Sequence, residues 1–155
     1  MTFLNTSLLG ALALLLLAAS WLDLRSRTIP NGLNLLIALL AIPFWWASGL
    51  GLWPDVAWQI GLAILVFGLF TIPFILGAMG GGDVKMLGAL ALWIPSGALL
   101  PLIVIMSLAG GVLTLAMLIR QRLARSEAQM EVPYGVAIAF AGLWLISERF
   151  LYQFG

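Results

Sequence analysis

The chain has no cysteine and no histidine among its 155 residues. The first absence removes disulfides, thiol nucleophiles and cysteine-based zinc sites, and leaves the redox compartment unreadable. The second removes serine–histidine dyads, H-E-x-x-H metal sites and imidazole acid–base chemistry. Charge is scarce too. Only 8% of residues are charged, whereas a soluble domain carries about 25%. There is no basic tract and the net charge is +1, so nucleic acid is not an expected partner. Polar chemistry is left to six carboxylates, one lysine, six arginines and the hydroxyls.

What the chain has in quantity is apolar length. It is 63% hydrophobic, with a mean hydropathy of +1.15. Such a sequence cannot cover a soluble surface, so the bilayer is its expected solvent. A helix needs about 20 apolar residues to cross the hydrocarbon. The expectation is an all-α polytopic membrane protein, one domain over residues 1–155, with six transmembrane helices and no soluble domain. The spans are expected near 3–22, 33–50, 56–76, 84–95, 98–119 and 132–150, the fourth being short. The first seven residues hold no lysine or arginine, so the opening run lacks the basic start of a cleaved signal peptide. Gly110–Gly111 in the fifth span permits close helix contact. Pro133 suits the first turn of the sixth.

Orientation follows from the positive charges. With six spans, the loops after spans one, three and five hold Arg25, Arg27, Lys85, Arg120, Arg122 and Arg125, and the other side holds only Arg149. Positive charge marks the cytoplasmic side. Those loops are therefore expected in the cytoplasm and both termini outside.

This topology puts Asp23, at the end of span one, and Asp83, at the start of span four, at similar depth on the cytoplasmic side, with Asp55 on the other. If spans one and four are neighbours, the two carboxylates can meet. Ionisable groups at membrane depth are costly and usually functional. Two carboxylates held close in a low dielectric share a proton. One then takes a proton from water while the other protonates a carbonyl oxygen, the chemistry of aspartic proteases. This reading needs no cofactor and no metal.

The stretch Gly80-Gly81-Gly82-Asp83-Val84-Lys85-Met86 breaks two apolar runs. Three consecutive glycines work against a helix. They are expected to line a cavity, to permit positive φ at a sharp bend into span four, and to let an extended substrate backbone approach the carboxylates. Plainer roles exist for each group. Asp23 with Arg25 and Arg27 can be an interfacial turn, Asp83 can cap span four, and Lys85 can anchor at the headgroups. Arg120, Arg122 and Arg125 can contact anionic lipid. Glu127 and Glu131 suit a solvated loop. Trp45, Trp46, Trp53 and Trp93 suit interfaces or packing.

D-L-R-S-R-T-I-P-N (residues 23–31), followed sixty residues later by G-G-G-D-V-K-M, resembles the type IV prepilin leader peptidases, membrane aspartyl peptidases with a G-x-G-D motif. V-P-Y-G-V-A-I-A (residues 132–139) is similar to that family's final helix. The resemblance implies cleavage of a short basic leader from a prepilin at the cytoplasmic face of the inner membrane, with Asp23 and Asp83 catalytic. Larger members add a cytoplasmic domain with paired C-x-x-C motifs and also N-methylate their product. This chain resembles the short, peptidase-only branch that serves tight-adherence (Flp-type) pili. The implied partners are an Flp-type prepilin and the lipid bilayer. Gly80, Gly81, Gly82, Lys85, Pro133, Tyr134 and Gly135 are expected to border the substrate. The competing readings are a small proton-coupled carrier or channel component, a Ser26–Lys85 peptidase, and a structural subunit in which both aspartates are dispensable.

Overall fold

The computed structural model describes the backbone of residues 3–124 and 132–154, and the side chains through 123 and from 132 to 148. Among these residues six α-helices follow one another: α1 Phe3–Ser26, α2 Asn31–Ala47, α3 Ala57–Ile75, α4 Gly81–Ala91, α5 Ser96–Ala124 and α6 Tyr134–Phe154. A short π-helical turn, Leu52–Val56, leads into α3. No strand occurs among the described residues. Among the described residues, three helical segments are long and apolar enough to cross a membrane: Phe3–Ser26, Leu52–Ile75 and Ser96–Leu123. Asn31–Ala47 and Tyr134–Glu148 are apolar but shorter. By this measure the six crossings expected from the sequence are not reached.

The buried residues of α1 are Asn5, Leu9, Leu12, Leu16, Ala19 and Asp23. Their spacing alternates between four and three, which keeps one stripe of the helix turned to its neighbours. Asp23 is the last member of that stripe, so its carboxylate is carried into the bundle by the packing of the leucines before it. Arg27 then adopts the left-handed conformation (φ 55°) and its amide bonds the Asp23 carbonyl at 3.0 Å, which ends the helix. Pro30, in extended conformation, starts α2.

α3 closes on Gly77, at φ 73°, with the amide of Ala78 bonded to the Pro73 carbonyl at 2.9 Å, a Schellman arrangement. The positive φ expected in the triple glycine is therefore found three residues earlier. Gly80 is an extended cap (φ −72°, ψ 144°), and Gly81 and Gly82 form the first turn of α4. Glycine is costly inside a helix but tolerated at its start, where the amides have no intrahelical acceptor in any case. This corrects the expectation that three glycines exclude helix here.

α4 is the centre of the fold. Its residues from Asp83 to Ala91 are buried except Lys85, and it packs on α2, α3 and α6. α1 packs on α2 and α6, and α5 on α6. Eleven residues reach only about 16 Å, roughly half the hydrocarbon thickness. The carbonyls freed at the end of α4 therefore need donors. Gln59 Nε2 donates to the carbonyls of Ala91 and Ile94, both at 2.6 Å, and Trp45 Nε1 to that of Leu92 at 2.8 Å. Trp93 is buried and donates to the Ile37 carbonyl at 2.9 Å. Trp45 and Trp93 are thus packing residues, whereas Trp46 and Trp53 are exposed.

Candidate active site

Asp23 and Asp83 are 4% and 7% exposed. They lie at the same end of the bundle and interact through their charges. The element that unites them is α6. The amides of Gly135 and Val136 face the Asp23 carboxylate as donors, and the amides of Gly80 and Gly135 face that of Asp83. Asp23 thus supplies the acceptor that Pro133, just before α6, has no side-chain oxygen to give. Asp83 reaches back to its own helix cap at Gly80, half of a capping box. The capping role and the paired-carboxylate arrangement coexist in Asp83. Asp23 Oδ2 and Asp83 Oδ1 are buried with no hydrogen-bond partner of good geometry.

Close approach at Gly135 requires that residue to be glycine. A β-carbon there would stand 2.8 Å from Asp23 Oδ2 and 2.7 Å from Ile29 Cδ1. Two turns further along α6, a β-carbon on Gly142 would stand 2.9 Å from Leu16 of α1 and 3.0 Å from Leu90 of α4. Leu16 to Asp23, Asp83 to Leu90 and Gly135 to Gly142 are each seven residues, about 10.5 Å of helix. One heptad of α1, α4 and α6 therefore runs in register, with α1 opposed to the other two. The carboxylates close one end of that heptad and the leucines the other.

The three glycines before Asp83 are short of space in the same sense. β-carbons would meet Asp83 Oδ2 at 2.9 Å from Gly80, the Phe74 ring at 3.1 Å from Gly81, and Ile29 at 3.2 Å from Gly82. Asn34, buried in α2, donates to the Gly82 carbonyl at 3.0 Å and ties the start of α4 in place. Asn34 and Ile29 received no role from the sequence. The signal for Asn34 was a lone amide in an apolar run. For Ile29 there was none beyond the I-P-N in the motif.

Among the other expected site residues, Lys85 and Tyr134 turn their side chains to other partners. Lys85 is exposed, and its Nζ bonds Asn31 Oδ1 at 2.8 Å, roughly 200° around α4 from Asp83. Tyr134 turns its ring to α5, 3.3 Å from the β-position of Gly110. Pro133 is buried just before α6. Ser26 Oγ bonds the Leu22 carbonyl at 2.8 Å and lies 3.1 Å from the Thr28 hydroxyl, so Ser26 and Lys85 form no dyad. Asp55 Oδ2 accepts from the Gly51 amide at 3.1 Å. Arg125, Glu127 and Glu131 lie outside the described residues, as does the Arg149 side chain. Among the described residues no group of three metal-binding side chains gathers.

Residues 8–115, more than half of the chain, match the model of the type IV leader peptidase family. The chain belongs to that family. The matched stretch includes both aspartates and stops before α6, so the family signature holds the carboxylates but not the helix they converge on. The chain is also similar to a prepilin leader peptidase/N-methyltransferase of Xanthomonas campestris pv. campestris, with 31% identity over 150 residues, 88% of this chain and 48% of that protein. It therefore spans about half the length of the curated relative it matches. No solved structure matches the chain.

Proposed function

We propose that the protein is a membrane-embedded aspartyl endopeptidase that removes the short leader from an Flp-type prepilin at the cytoplasmic face of a bacterial inner membrane. The observation that carries this reading is the convergence of two buried carboxylates, remote in sequence, on one backbone segment at one end of the bundle. Family membership supports a peptidase and does not favour the carrier alternative.

In this reading the pair holds one proton. The ionised carboxylate takes a proton from water, and the water oxygen attacks the scissile carbonyl carbon. The protonated carboxylate gives its proton to the carbonyl oxygen, forming a gem-diol. The C–N bond then breaks as the diol returns a proton through the pair to the leaving amine. The products are a free leader carboxylate and a new N-terminal amine on the mature helix. The backbone amides at Gly80 and Gly135 face the carboxylates, and backbone has no rotamers to lose. If the chain crosses six times with both termini outside, as its positive charges suggest, this end of the bundle lies at the inner interface, where a basic leader meets an apolar pilin helix.

The test is leader removal from a purified Flp-type prepilin, read by a gel shift and the new N-terminus, for wild type, Asp23→Asn and Asp83→Asn. Each substitution is expected to abolish cleavage while the helical circular dichroism stays native. Full activity in either variant, with the protein folded, refutes the reading.

A further inference from the structure

Between α1 and α2 lies one buried apolar residue that this chemistry does not use. Ile29 is 6% exposed, in a connection of only four residues. The connection is fixed at both ends. Arg27 at φ 55° ends α1, and Pro30 caps α2. The Ser26 and Thr28 hydroxyls stand 3.1 Å apart across it.

Ile29 touches both halves of the site. On one side, its Cβ, backbone nitrogen and carbonyl oxygen stand 3.2, 3.4 and 3.4 Å from the β-position of Gly82, the residue before Asp83. On the other, its Cδ1 stands 2.7 Å from the β-position of Gly135, the backbone on which Asp23 lies. Neither glycine has a side chain that can fill this space, so the volume between them belongs to Ile29.

We infer that Ile29 is a positioning residue, a spacer between the starts of α4 and α6 that sets the separation of Asp23 from Asp83. The inference rests on the aspartyl reading above. Close-packed interiors transmit a change of this kind. With the side chain shortened, the two helix starts relax toward each other. The carboxylates then couple more strongly, and the two proton-loss steps of the pair spread apart.

The test measures kcat and KM for leader removal against pH in wild type, Ile29→Leu, Ile29→Val and Ile29→Ala, with circular dichroism and a thermal midpoint for each. Ile29→Leu keeps the volume and stays near wild type. Across Val and Ala, kcat falls in steps, by roughly tenfold to a hundredfold at Ala, the scale of a 1 Å misplacement. KM stays within about twofold, as for an interaction that acts on the transition state. The two limbs of the kcat–pH profile move apart. Unchanged kcat, limbs that move together, or a lower kcat with both limbs in place overturns the inference, the last being the signature of packing alone. Ile29→Val removes one methyl group and decides the matter if Ile29→Ala fails to fold. Failure of wild type to cleave, or cleavage by Asp23→Asn, overturns the aspartyl reading itself. A flat Ile29 series in a cleaving wild type overturns only the spacer.

Discussion

Asp23 and Gly135 stand so close that the carboxylate occupies the place of a side chain: Oδ2 lies 2.8 Å from where a β-carbon on Gly135 would be, and Cγ 3.1 Å. Gly135→Ala therefore forces the carboxylate, Ile29 or α6 itself to move. Such displacement at a catalytic group costs about a hundredfold in rate. Leader cleavage by Gly135→Ala is expected to fall by about that factor, with helical content unchanged. Gly111→Ala is the control. Nothing lies within 4 Å of its β-position, and alanine in a helix is favoured over glycine by about 1 kcal/mol. Its activity is expected at wild-type level.

Gln59 makes a prediction about stability alone. It serves two carbonyls at the end of α4, where the helix stops within the bundle. Gln59→Leu leaves both acceptors buried without donors, at about 1–3 kcal/mol each. A drop of several degrees in the thermal midpoint is expected, with cleavage at low temperature retained because the carboxylates lie at the opposite end of α4. A midpoint unchanged from wild type counts against this capping role.

Asp23, Asp83 and their common end were legible in the sequence because charge in an apolar chain is conspicuous. The convergence was expected through contact of α1 with α4. Both helices pack on α6, and Gly135 is the meeting point. The glycine stretch was legible as special, but its reason was not. Gly80, Gly81 and Gly82 lack room for a side chain rather than needing left-handed backbone. Helix faces were illegible for a physical reason. Lipid and protein interior both select apolar residues, so buried Leu12 and Leu16 look no different from exposed Leu14 and Leu17. Asn5, Asn34 and Gln59 also mark inner faces, because lipid offers them no hydrogen bonds, but they received no role from the sequence.

Lys85 is held by Asn31, and Ser26 is bonded to Leu22 and Thr28. Neither side chain is placed to act as the other's base. Lys85→Ala and Ser26→Ala are each expected to keep cleavage within about tenfold of wild type, the range of a peripheral contact. Complete loss in both, beside active Asp→Asn variants, assigns the chemistry to a serine–lysine pair instead.

The absence of cysteine makes the membrane topology testable with single introduced thiols. Ile29 abuts Gly82 and Gly135, so the α1–α2 connection, the start of α4 and the start of α6 share one end. Asn5 Nδ2 donates to the Ala47 carbonyl at 3.2 Å, which puts the start of α1 beside the end of α2 at the other end. Exposed positions on the two sides are Thr28 and Ala78 against Gly51 and Gly97. In intact cells, a membrane-impermeant maleimide is expected to label cysteines at 51 and 97, and to reach those at 28 and 78 only after the inner membrane is opened. Labelling of 28 and 78 from outside places the carboxylates at the outer face, where a cytoplasmic leader cannot reach them. Labelling at 28 and 78 on different sides contradicts the shared end itself. The first result moves the reaction to another compartment, and the second dismantles the site.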